Sequence, residues 1–86
     1  MINSPEQAAK AVLNGLKGYI VPCVKENKDS YLVYAVSAEN PYNDYSNTIF
    51  LVNKANGKTL HFNPNADIEL FSKINQAENL LDSPVR

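Results

Sequence analysis

The first apolar pattern along the chain is helical. Apolar residues recur at spacings of three and four between positions 9 and 16, which is the period of an amphipathic helix. Ser4 is a favourable N-cap, and Pro5 suits the first turn because its missing N–H is not needed there. Gly18 can end such a helix in the left-handed conformation. The pattern predicts a helix over residues 5–16.

Four stretches rich in β-branched and aromatic residues follow, and each is bounded by polar or turn-forming residues. They predict strands over residues 19–25, 31–38, 48–53 and 58–62. Pro22 interrupts the first strand, which should lie at an edge or be bulged, because proline lacks the N–H that a ladder needs. Asn56-Gly57 predicts a hairpin turn, because both residues accept positive φ. Short connections favour an antiparallel meander.

The last pattern is again helical. Its apolar face is formed by Leu70, Ile74, Ala77 and Leu81, widened by Ile68 and Phe71. The helix should begin between Pro64 and Asp67 and end at Asp82-Ser83-Pro84, leaving a frayed tail. The predicted fold is α+β, in the order α-β-β-β-β-α: a four-stranded antiparallel meander sheet with an N-terminal and a C-terminal helix, in one domain over residues 1–86.

The second and third strands carry apolar residues on both faces. A sheet that is covered on one side only should alternate apolar and polar residues. The pattern therefore predicts either that helices cover both faces or that one face meets a second copy, which leaves a homodimer open.

Composition narrows the classes of partner. The chain has 86 residues and a formal net charge of −1, and its eight Lys and Arg residues form no basic run. This argues against nucleic-acid binding, which needs a basic surface. No apolar run is long enough to span a membrane, and the N-terminal residues do not form a signal peptide. With a single cysteine the sequence indicates a cytoplasmic protein without disulfides.

The residues that carry chemistry are few and scattered. Cys23 and His61 would be the members of a Cys–His pair, but no spacing brings them together, and an apolar strand favours an inert packing role for the thiol. The acidic residues fall in turns and caps, and no cluster has zinc or EF-hand spacing. The sequence therefore predicts no catalytic residue, no metal site and no cofactor.

The loop over residues 39–47 is the strongest candidate binding site. It is longer than a meander connection needs. Tyr42 and Tyr45 are its candidate anchors, because tyrosine offers a large contact area at small entropic cost. Glu39 and Asp44 would give an acidic rim that favours a basic protein partner. The alternative is that the two rings only seal the edge of the sheet.

The stretch from Asn47 to Lys58, with its sequence Val52-Asn53-Lys54 before Gly57-Lys58, resembles the hairpin of small bacterial immunity proteins of polymorphic toxin systems. The resemblance implies a protein-binding domain of immunity or inhibitor type. Two alternatives remain open at this point. One is a small-ligand-binding or enzymatic domain with a pocket between sheet and helix, and the other is a structural homodimeric accessory protein of phage or mobile-element origin.

Overall fold

The computed structural model of the chain describes residues 2–39, 48–62 and 68–86. Its elements are α1 (Pro5–Leu13), β1 (Tyr19–Glu26), β2 (Ser30–Ser37), β3 (Thr48–Asn53), β4 (Thr59–Phe62) and α2 (Ile68–Asn75). The strands form one antiparallel sheet in the order β1-β2-β3-β4. The predicted α+β class, the antiparallel meander and the N-terminal helix are therefore confirmed.

Helix α1 begins as predicted but ends earlier. The Ser4 hydroxyl accepts a hydrogen bond from the Gln7 N–H at 3.2 Å, and the Gln7 side chain accepts one from the Asn3 N–H at 2.7 Å. The helix ends at Leu13 rather than at residue 16. Gly18 does have a positive φ of 77°, but it lies in the turn into β1, where its carbonyl accepts the Ala38 N–H.

One face of the sheet is covered by α1. The shared core consists of Ala8, Ala9 and Val12 of the helix with Val21, Val24, Tyr31, Val33, Ala35, Val52 and Leu81. Small side chains on α1 let the helix lie close to the sheet, because alanine adds little thickness between two backbones. Most of the buried apolar side chains of the described residues lie in this layer, and burial of apolar surface is the main stabilising term in folding.

The opposite face carries a smaller apolar cluster. Leu32, Ile49 and Phe62 are buried there, with Tyr34 and Leu51 packed against them. Because these three residues are buried within one chain, they do not require a second copy as a cover. The apolar character of both faces is thus accounted for without the face-to-face dimer that the pattern left open.

Strand β1 fulfils both expectations for Pro22. It is an edge strand, and its register with β2 shifts between Ile20 and Cys23. The bulge places Pro22 where no ladder hydrogen bond is required from its nitrogen. Beyond the bulge, Cys23 pairs with Tyr34 and Val24 pairs with Val33.

The hairpin between β3 and β4 occurs where Asn56-Gly57 predicts it, over the residues left between the two predicted strands. The Asn53 N–H donates to the Lys58 carbonyl, so the loop has four residues, 54–57. Within the described residues only glycines have a positive φ, and here that residue is Gly57, at 71°. Asn53 stabilises this loop, because its side chain accepts hydrogen bonds from the Ala55 and Asn56 N–H groups.

The C-terminal prediction is wrong in its extent. In the described part of this segment, helical backbone spans Ile68–Asn75 and does not reach Leu81 or Asp82, while the predicted start between Pro64 and Asp67 lies outside the described residues. Residues 79–85, here called the C-terminal strap, instead run along β1. Val21 and Val85 exchange two backbone hydrogen bonds of 2.8 Å, so the end of the chain is paired rather than frayed. No helix in the described residues is long and apolar enough to cross a membrane.

Candidate functional site

The two edge strands of the sheet, β1 and β4, differ in whether their outward backbone groups have hydrogen-bond partners. At the β1 edge, the Leu80 N–H donates to the Val24 carbonyl at 2.8 Å. The Asn79 side chain accepts from the Val24 N–H and donates to the Pro22 carbonyl, both at 3.1 Å. Asn79 thus substitutes for the backbone of a neighbouring strand at the bulge. The strap thus supplies hydrogen-bond partners to the outward groups of β1 from Val21 to Val24 and covers this part of the edge.

At the other edge, β4 has backbone groups without a partner among the described residues. The bond from the Asn53 N–H to the Lys58 carbonyl identifies a hydrogen-bonded pair. Since such pairs alternate along an antiparallel ladder, Leu60 and Phe62 also direct their backbone groups to β3. The N–H and C=O groups of Thr59 and His61 therefore point away from the sheet. We call this row of groups the β4 edge.

The side chains beside the β4 edge are largely open to solvent. Thr59, Leu60 and His61 are all exposed, and Leu60 exposes 55% of its surface. Leu60 is on the face that carries Phe62, while His61 is on the other face. There the His61 and Phe50 rings form an edge-to-face contact, with centroids 5.6 Å apart and an interplanar angle of 89°. The β4 edge therefore combines free backbone groups with one exposed apolar side chain.

A groove lies at the turn end of the sheet. It has a volume of about 550 Å³ and is lined by Ile2, Asn3, Lys28, Asp29, Asn53, Lys54 and Ala55. Lys54 is already engaged, because its Nζ lies 2.6 Å from a Glu26 carboxylate oxygen and 4.9 Å from the centre of the Tyr31 ring. The groove is formed by turns and the N-terminal segment. It is not the pocket between sheet and helix that a ligand-binding domain was expected to have.

The thiol of Cys23 is not activated. Burial raises the pKa of Cys23 above its ordinary value, and the nearby charge of Lys25 lowers it by less. A thiol with a raised pKa stays protonated at neutral pH and is a poor nucleophile. Cys23 and His61 also lie on opposite faces and on opposite edge strands, about 14 Å apart from the spacing of strands alone. The structure therefore does not bring these two residues together.

The Tyr34 hydroxyl is the one buried side-chain polar atom of the described residues that lacks a hydrogen-bond partner. Burial raises the pKa of Tyr34, and the neighbouring Cys23 raises it further. The Lys25 Nζ lies 5.6 Å from the centre of the Tyr34 ring. Cys23, Lys25 and Tyr34 thus form a group of neighbouring side chains across β1 and β2. Elsewhere in the described ranges, no group of three or more His, Cys, Asp or Glu residues could hold a metal ion.

The predicted loop site is only partly visible. Glu39 is exposed, and its N–H donates to the Ser37 hydroxyl at 3.3 Å. Tyr42, Asp44 and Tyr45 lie outside the described residues, so the loop over residues 39–47 stays a prediction. Sequence reasoning missed the β4 edge. Its only signal in the sequence was the shortness of the predicted strand, residues 58–62, before Asn63-Pro64.

Comparison of the chain with known proteins found no match. No family model matches the chain, and neither a curated protein nor a solved structure is significantly similar to it.

Proposed function

We propose that the chain is a small protein-binding domain whose partner adds an extended segment to the β4 edge. The observation that carries this proposal is that the N–H and C=O groups of Thr59 and His61 point away from β3 and have no partner among the described residues. An extended peptide that lies beside such an edge gains main-chain hydrogen bonds, and its alternate side chains contact the two faces of the sheet.

The contrast between the two edges supports the proposal. Soluble proteins protect sheet edges, because an open edge invites pairing with other chains. This chain protects β1 with a whole segment and with the side chain of Asn79. It gives β4 no comparable cover within the described residues, and it places an exposed Leu60 beside the open groups. An edge that stays open while the opposite edge of the sheet is covered is typical of a binding surface.

An immunity or inhibitor-type role fits this surface. The stretch that resembles the hairpin of immunity proteins, Asn47 to Lys58, leads directly into β4. The hairpin would hold the β4 edge in place for a partner, and the loop over residues 39–47 would precede it as a second contact. Tyr42 and Tyr45 are the anchors that we propose for that loop.

The test is a photo-crosslinker at position 59 of the full chain, used in an extract of the source cells. The matched control carries the same group at Lys28, which is exposed in the turn between β1 and β2. We expect a protein adduct from position 59 that position 28 does not give. The adduct should disappear in the His61→Pro variant, because proline removes an outward N–H while an edge strand tolerates it.

The His61→Ala variant separates the backbone from the side chain. It keeps the N–H of residue 61 and removes only the imidazole, so the adduct should persist. Loss of the adduct in His61→Ala to the same extent as in His61→Pro would show that the imidazole, and not strand addition, makes the contact. Equal adducts from positions 59 and 28 would exclude the β4 edge as the binding surface.

A further inference from the structure

We propose that a second copy of this chain occupies the β4 edge, through antiparallel pairing of two β4 strands about a two-fold axis at Leu60. This inference rests on the proposed function and names one partner for the same surface. The β4 edge is complementary to itself in hydrogen bonding and in apolar contact, and its charges do not oppose the pairing.

The hydrogen bonds match in one register. Because Thr59 and His61 both direct their backbone groups outward, Thr59 can pair with His61 of the second copy. The two-fold axis then pairs His61 with Thr59 of the second copy in the same way. Each pair exchanges two N–H···O=C bonds, as in any hydrogen-bonded antiparallel pair. Every outward polar group of these two residues obtains a partner.

The side chains match in the same register. Leu60 meets Leu60 of the second copy as the central pair, which is of the non-hydrogen-bonded kind with Cα atoms about 4.5 Å apart. This is the closest approach of side chains in an antiparallel sheet, and it covers a leucine that exposes 55% of its surface in one chain. An isologous contact of this kind uses the same patch twice and closes at two copies.

Charge does not oppose the pairing. Lys58 falls opposite Phe62 of the second copy rather than opposite the other lysine. The two Lys58 residues are separated by four residues along the strands, or about 13 Å. Like charges directly opposite would destabilise a sheet, and this register avoids them. Another register would either leave outward groups unpaired or move Leu60 away from its copy.

The contact is small, so the association should be weak. Specific stable interfaces bury about 800 Å² on each partner, and a four-residue strand provides less than this. We therefore expect sedimentation equilibrium to give the monomer mass of 9.5 kDa at about 10 µM and a rise toward twice that mass near 1 mM. A constant monomer mass over this range would overturn the inference.

A charge at the axis should abolish the association. In Leu60→Lys two cations would face each other, whereas the exposed side chain can be replaced without loss of the core. Leu80→Lys is the matched control, because Leu80 exposes 39% of its surface and lies at the β1 edge. We expect Leu60→Lys to stay monomeric and Leu80→Lys to associate as the unchanged chain does. Equal association of the two variants would exclude a two-fold axis at Leu60.

Disulfide trapping tests the register itself. In a Cys23→Ala background, Leu60→Cys places two thiols at the distance that a disulfide spans. Lys58→Cys is the control, because residue 58 directly precedes β4, two residues before Leu60, and lies about 13 Å from its copy in this register. In a glutathione buffer, the covalent dimer of Leu60→Cys should exceed that of Lys58→Cys by at least about tenfold. Equal yields would overturn the register.

The two proposals fail separately. A specific adduct between position 59 and a different protein, together with a monomeric chain at high concentration, would leave strand addition standing and remove the second copy as its occupant. Absence of both the adduct and the association would remove the proposed function as well.

Discussion

The Tyr34 hydroxyl is buried without a hydrogen-bond partner in the described part of the chain. An unsatisfied buried group costs its desolvation free energy, so its removal should help the fold. We expect Tyr34→Phe to raise the free energy of unfolding by about 1 kcal/mol in urea denaturation. Tyr31→Phe is the matched control, because Tyr31 is a buried tyrosine of β2 whose hydroxyl is not among the buried polar atoms that lack a hydrogen-bond partner. A loss of stability in Tyr34→Phe would mean that the hydroxyl has a partner.

Cys23 and Tyr34 also predict how stability depends on pH. Burial raises the pKa of both groups, so the folded chain binds their protons more tightly than the unfolded chain does. Their contribution is present below the unfolded values and is lost as pH rises through the raised folded values. The urea midpoint should therefore fall above about pH 9. It should fall less in Cys23→Ala/Tyr34→Phe, and parallel curves for the two proteins would contradict the prediction.

At the scale of elements, the sequence predicted what depends on local pattern. The four strands and the start of α1 follow from β-branched runs and from the Ser4-Pro5 cap, and each was found within one or two residues. The hairpin between β3 and β4 was also found where Asn56-Gly57 predicted it. What this local pattern could not show is that the Asn53 side chain accepts hydrogen bonds from two loop N–H groups.

The C-terminal segment shows why a helical pattern can mislead. Leu81 fits the helical spacing, yet its burial comes from packing beside β1 in the strap. The outward groups of β1 need hydrogen-bond partners, and an extended segment supplies them where a helix, whose backbone bonds to itself, does not. The pairing of Val21 with Val85 spans most of the chain, so no local window of sequence contains it.

Asn79 is the residue on which closure of the β1 edge depends most. Asn79→Ala removes the acceptor for the Val24 N–H and the donor to the Pro22 carbonyl. We expect a loss of about 1–2 kcal/mol of stability, since a half-buried N–H is left without a partner. Amide exchange at Val24 should also become faster. Asn79→Asp keeps the acceptor and loses only the donor, so its stability should lie between those of the unchanged chain and Asn79→Ala. If amide exchange at Val24 is unchanged in Asn79→Ala, the Asn79 side chain does not protect the Val24 N–H.

At the scale of the whole molecule, the candidate site is a property of the strand order. Thr59 and His61 matter because β4 is an edge and because the strap covers the other edge. Neither fact is contained in the residues of β4, which read as an ordinary short strand. Sequence reasoning turned instead to the residues with distinctive chemistry, Cys23 and the loop tyrosines. A site built from backbone groups leaves almost no trace in composition.

The two edges together predict how far self-association can proceed. With β1 covered by the strap from Val21 to Val24, pairing through β4 uses the edge that is open among the described residues and stops at two copies. Asn79→Ala/Val85→Pro should expose the β1 edge. It removes the Asn79 side-chain hydrogen bonds to Val24 and Pro22, and it removes the Val85 N–H that donates to the Val21 carbonyl. A chain with two open edges can pair at both, so light scattering should show masses that grow with concentration beyond the dimer. Adding Leu60→Lys to this variant should prevent pairing through β4, so that only the exposed β1 edge can pair and the mass should not exceed that of two copies. If the opened variant does not grow beyond the dimer, the strap is not what protects the β1 edge.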